Sequence, residues 1–112
     1  MQQHCCLVDM NPPRKSKPGK VRPVVVIQAS DVIKLGTPGI TIVPVTSQLK
    51  PSNILRLRLL PSRELLLKNA SDVLIDQIHT IDAALFLQDM GTLADDEFNK
   101  IMRGVRFHLG LD

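Results

Sequence analysis

Arg22-Pro23-Val24-Val25-Val26-Ile27 is the stretch on which the reading of the fold turns. Val24 to Ile27 are all β-branched with no polar break, the pattern of a strand buried on both faces, and Pro23 suits the beginning of such a strand. Upstream, Cys5 to Met10 is short and mostly apolar, a first strand that Asn11-Pro12-Pro13 would stop because proline donates no ladder hydrogen bond. Downstream, Ser30-Asp31 caps one helical turn through Lys34 before Gly36-Thr37-Pro38-Gly39 breaks the chain, and Ile40 to Val45 is another strand. Ile54 to Leu60 alternates Leu55, Leu57 and Leu59 with Arg56 and Arg58, so one face is buried and the other presents guanidinium groups to solvent. Leu65 to Leu67 reads equally as a turn of helix or a buried excursion. Val73 to Ile78 is a fifth strand and Thr80-Ile81 a sixth, which completes the sheet.

The hydrophobic period then changes. From Phe98, the residues Ile101, Met102, Val105 and Leu109 form one apolar stripe on a helix whose first turn holds Asp95, Asp96 and Glu97, favourable to the helix dipole. Gly110 ends it. Phe107 lies nearly opposite the stripe, either packed under a loop or part of a second contact surface such as a dimer seam, and the seam is favoured. The fold class expected is mainly β with a C-terminal helix, about five to six antiparallel strands curled into a small barrel.

With 112 residues, 44% hydrophobic and 22% charged, and a mean hydropathy of +0.07, the chain suits a single domain over 1–112 and excludes a fibrous or disordered protein. No apolar run approaches the roughly 20 residues of a membrane span. Met1-Gln2-Gln3-His4-Cys5-Cys6 has neither the cationic start nor the apolar segment of a signal peptide, so a cytoplasmic protein with no membrane association is expected. Cys5 and Cys6 are adjacent and would close almost no loop, while His4, His79 and His108 are scattered. The expectation is two buried apolar cysteines, no metal site and no cofactor.

Charge is uneven. Residues 1–70 carry eleven Lys and Arg against three acids, and residues 71–112 carry three against eight. The density peaks at Arg14, Lys15, Lys17, Lys20 and Arg22, a basic loop that either binds a polyanion or only keeps the protein soluble.

Four segments settle on a resemblance: Val8-Asp9-Met10-Asn11-Pro12-Pro13; Gly19-Lys20-Val21-Arg22-Pro23-Val24-Val25-Val26; Val43-Pro44-Val45-Thr46-Ser47; and Asp76-Gln77-Ile78-His79-Thr80-Ile81-Asp82. In that order and spacing they resemble the MazF/PemK family of toxin endoribonucleases over nearly the whole chain. The resemblance implies a small SH3-like barrel shared with the CcdB gyrase poisons, a homodimer, and a cognate antitoxin with an acidic C-terminal segment. It further implies sequence-specific, metal-independent cleavage of single-stranded mRNA by the 2′-OH, leaving 2′,3′-cyclic phosphate and 5′-OH ends. Two positions depart from the family pattern. Gln3-His4-Cys5-Cys6 stands where relatives usually have Gly-Asp and apolar residues, and Lys17 stands where many carry a Glu five residues before the arginine.

Arg22 and Thr46 are the residues that the resemblance makes catalytic. A guanidinium can hold two phosphate oxygens but is a poor general base, so Arg22 is assigned charge stabilisation and proton donation to the leaving 5′-oxygen. Thr46 would hold a nonbridging oxygen, with Ser47 as its substitute. Without the resemblance, Arg22 reads as a charged gatekeeper beside an aggregation-prone run and Thr46 as an ordinary turn residue. Ser16, Lys17, Lys20, Ser47, Gln48 and Gln77 are the substrate-binding candidates, the lysines for phosphates and the glutamines for base edges. With no Trp, no Tyr and three Phe, recognition by stacked aromatics is not expected. Histidine is a residue type suited to proton transfer, yet relatives often carry Arg where this chain has His79, which favours a structural or phosphate-contacting role. Two alternatives stand beside the nuclease. One is a CcdB-like gyrase-binding toxin, disfavoured because the chain ends Leu109-Gly110-Leu111-Asp112 rather than in Trp-Gly-Ile. The other is a relative that binds RNA or an antitoxin without cleaving.

Overall fold

The structure, a computed structural model, describes residues 1–11 and 20–111. Seven strands appear among them: β1 His4–Asn11, β2 Lys20–Val26, β3 Gly39–Thr46, β4 Arg56–Leu59, β5 Ser71–Leu74, β6 His79–Asp82 and β7 Phe86–Thr92. Between β2 and β3 lies the one-turn helix α1 (Ser30–Ile33), whose N-cap is Ala29 with no side-chain bond, so Ser30 and Asp31 lie inside the turn rather than capping it, and the C-terminal helix α2 runs Asp95–His108. The path through the sheet is β4-β5-β3-β2-β1-β7, with β6 also on β3, and every pairing is antiparallel. The expected mainly β fold with a C-terminal helix is therefore what forms. Among the described residues no helix is long and apolar enough to cross a membrane.

The two faces of β2 carry separate cores, because successive side chains point to opposite sides. Val25 joins Cys5, Val43 and Val45 in the larger cluster, which Phe98, Ile101 and Val105 of α2 complete. Val24 and Val26 join Cys6, Val8, Ile40 and Ile42 in the smaller one, against which Ile33, Ile81 and Phe86 pack. Adjacent Cys5 and Cys6 thus enter different cores, and burial pushes their thiols up to about 12 and about 11, as suits unreactive apolar residues. Helix α2 comes very close to the turns beside β4 and β5 at buried Gly104. A Cβ there would lie 2.4 Å from the Ile54 carbonyl oxygen. Its N-terminus is closed by Glu97, whose Oε1 accepts from the Ala94 N–H at 3.0 Å.

Several local expectations shift. Pro23 lies inside β2, opposite Leu7, rather than at its start. β5 stops at Leu74, so Asp76 and Gln77 occupy the polar turn before β6 instead of a strand. Leu65 to Leu67 is an excursion that buries Leu65 and Leu67 and leaves Leu66 exposed: Leu65 bridges Gly91 of β7, where the backbone takes φ 113° and a Cβ would strike the Glu64 carbonyl. β7 itself is the strand that the sequence reading leaves out, since Phe86-Leu87-Gln88-Asp89-Met90-Gly91-Thr92 has no clean alternation and is bulged against β1. Leu109 caps α2 and is exposed rather than continuing its stripe. Phe107 is 62% exposed, so it packs under no loop of the described chain.

Candidate functional site

The β2–β3 ladder runs Val26↔Ile42, Val25↔Val43 and Val24↔Pro44, and ends there. Neither Pro23 nor Pro44 has an N–H to extend it. Past Pro44, β3 is held from its other edge, Val45 pairing with Val73 and Thr46 with Asp72 of β5. The unpaired gap is where the candidate residues meet. The same register carried two residues further sets Arg22 across from Thr46, both on the face that holds Val24 and Pro44.

A hollow of about 530 Å³ opens at this point. Arg22, Thr46, Lys20, Ser47, Gln48 and Gln77 all line it, so six of the eight residues expected at the site are brought together. Ser16 and Lys17 lie outside the described residues. Met10, Pro44, Val45 and Leu74 form its apolar floor and walls, and His79 completes the lining with no carboxylate among them. Arg22 and Ser47 also border a second hollow of about 500 Å³ on the other face, with Leu7, Val21, Pro23 and Met90. The side chains of Lys20, Arg22 and His79 make no hydrogen bond or ion pair with the described residues. Their donors are free to meet an anion, and the hollow is polarised for one.

Thr46 is oriented by its own loop. Its Oγ1 accepts from the Gln48 N–H at 3.2 Å, which leaves the hydroxyl hydrogen available to donate. The turn-residue reading and the donor reading of Thr46 are thus compatible.

The support beneath that loop was missed from the sequence. Asp72, fully buried, faces Thr46 in the ladder and gathers both strand-β4 arginines. Arg56 Nε donates to Asp72 Oδ2 at 2.7 Å, Arg58 Nε donates to Oδ1, and the Lys50 N–H donates to Oδ2 at 2.9 Å. The outer nitrogens reach on to the loop carbonyls, Arg56 to Gln48 and Arg58 to Lys50. Burial alone would push the Asp72 carboxyl up, but the bonds from Arg58, Lys50 and Arg56 outweigh it and lower it to about 2. The guanidinium face of β4 is therefore a clamp on Thr46–Lys50 rather than a solvated surface. The available signal was an aspartate, a poor strand former, inside Ser71-Asp72-Val73 together with two arginines on one strand face.

Residues 2–109 match the family of PemK-like, MazF-like toxins of type II toxin–antitoxin systems. The chain belongs to this family. Endoribonuclease MazF of Staphylococcus saprophyticus is 26% identical over 105 residues, 94% of this chain and 87% of the relative. Among solved structures, a mycobacterial endoribonuclease in complex with its cognate antitoxin superposes with a TM-score of 0.78 at 17% identity, covering 100% of this chain and 96% of that one. MazF from Deinococcus radiodurans gives 0.74 at 19% identity, covering 97% and 94%. These likenesses agree with the barrel-like fold, and the enzyme class that goes with the family is endoribonuclease.

Proposed function

We propose that this protein, working as one domain over 1–112, is a toxin that cuts single-stranded mRNA at a specific sequence without a metal, the RNA 2′-OH attacking its own phosphodiester. The observation that carries the reading is the convergence of Arg22 and Thr46 on one cation-lined hollow at the end of the β2–β3 ladder. Such a reaction needs a positioned nucleophile and donors aimed at the anionic phosphorane. Arg22 supplies charge and a proton to the leaving 5′-oxygen, and Thr46 holds a nonbridging oxygen. Lys20 attracts neighbouring phosphates, while Ser47, Gln48 and Gln77 contact substrate, with the glutamine amides facing base edges. The products are a 2′,3′-cyclic phosphate and a 5′-OH.

The cationic hollow is suited to an antitoxin's acidic C-terminal segment as its inhibitor. The protein acts as a homodimer, and exposed Phe107, Leu109 and Leu111 at the end of α2 are the apolar patch that supports one. An RNA substrate places it in the cytoplasm. The test is incubation with long single-stranded RNA in EDTA, followed by sequencing of the new 5′ ends. Discrete cuts are expected, and a single 2′-deoxy sugar at the scissile position should abolish them; continued cutting of that substrate would rule the mechanism out.

A further inference from the structure

Attack by a 2′-OH requires something to take its proton, and Arg22 is a donor rather than a base. Among the described residues, the hollow's lining holds no carboxylate. We infer that His79 is the general base of the cleavage, an inference that rests on the nuclease reading above. The sheet register puts it in position. His79 pairs with Ile42, Ile42 with Val26, and residues directly opposite share a face. By alternation, the side chains of Ile42, Thr46, Arg22 and His79 all stand on one side of the sheet, and the last three line the same hollow. His79 is exposed and its ring is free of described partners, so a substrate oxygen can reach it.

Elimination within the hollow points to the same residue. Threonine, serine and glutamine do not exchange protons near neutrality, and lysine and arginine are ordinarily protonated there. Only an imidazole has the right range. Among the described residues, Lys20 and Arg22 on β2 line the hollow with it, Asp76 lies in the preceding turn and Asp82 at the far end of β6; β3, on which β6 lies, carries no charged side chain.

In the reaction the neutral imidazole takes the 2′-OH proton as the 2′-oxygen bonds to phosphorus and the bond from phosphorus to the 5′-oxygen breaks. Arg22 protonates the leaving oxygen and regains a proton from solvent, to which the imidazolium releases its own. The net transfer is one proton from the 2′-hydroxyl to the new 5′-hydroxyl.

The experiment measures kcat and KM on an RNA fragment that the wild type cuts, between about pH 5 and 8, for the wild type, His79→Gln and His79→Gly with and without added imidazole. The wild-type rate should rise with pH through an inflection, because only a neutral imidazole can accept the proton. His79→Gln should lose about 100-fold or more in kcat together with that inflection, and imidazole should restore part of the His79→Gly rate. A variant that keeps kcat and its pH profile, or that raises only KM as loss of a phosphate contact would, overturns the inference while leaving the nuclease intact. Failure of the wild type to cut any RNA overturns both.

Discussion

Arg22 and the pair Arg56 and Arg58 are guanidinium groups on strands of one sheet, yet their surroundings differ completely. Arg56 and Arg58 converge on buried Asp72 and on two loop carbonyls, so their donors are spent inside the protein. Arg22 is exposed at the mouth of two hollows and bonded to no described side chain. The comparison separates two uses of the same chemistry. Arg56 and Arg58 hold a loop in shape, whereas Arg22 keeps its donors unspent beside that loop, where the proposed reaction would use them. The link between them is Thr46, which faces Asp72 across the ladder and shares the hollow with Arg22.

The largest effect expected from breaking the clamp is structural. Asp72→Ala leaves two arginines without their buried carboxylate and should cost about 3 kcal/mol of stability, the low end for a buried pair because the Arg58 side chain is 37% exposed. Urea unfolding measures it. Arg22→Ala should do the reverse, leaving the unfolding midpoint nearly unchanged while lowering kcat on RNA by about 100-fold or more, as loss of one oxyanion donor does. If Arg22→Ala proved as destabilising as Asp72→Ala, the division between the two regions would fail.

Acid should sharpen the contrast. The Asp72 carboxyl is lowered from 3.8 to about 2, so its stabilisation is complete above the ordinary carboxylate range and is lost as pH falls from 3.8 through about 2. Asp72→Asn should flatten that part of the stability curve, measured as the urea midpoint against pH. The smallest effect belongs to Lys20→Ala, which should reduce the salt dependence of RNA binding by about 0.7 in the log–log slope with little change in unfolding. An unchanged slope would remove Lys20 from the phosphate contacts.

Most of the fold was legible because the signals are local. The β-branched run at Val24–Ile27, the alternation at Leu55–Leu59 and the helical stripe from Phe98 to Val105 each announce their element within a few residues. β7 was not legible, because Gln88, Asp89 and Gly91 interrupt any alternation and only pairing with β1 makes it a strand. At the site, residue types were readable and partnerships were not. Leu-Arg-Leu-Arg-Leu says that arginines share a face but not that a carboxylate fourteen residues beyond Arg58 lies under it. His79 illustrates the same limit, since a lone histidine is ambiguous until its neighbours in space are known.

By itself, then, the sequence determined most of the strands and the C-terminal helix, the cationic character of the N-terminal half and the residues Arg22 and Thr46 as candidates. Only the tertiary structure decided that the β2–β3 ladder ends at a pair of prolines, that Arg22, Thr46 and His79 line the hollow left there, and that Asp72 braces its rim. The reason is physical: periodicity and propensity act over one or two turns of chain, whereas these contacts depend on how distant strands are set in register.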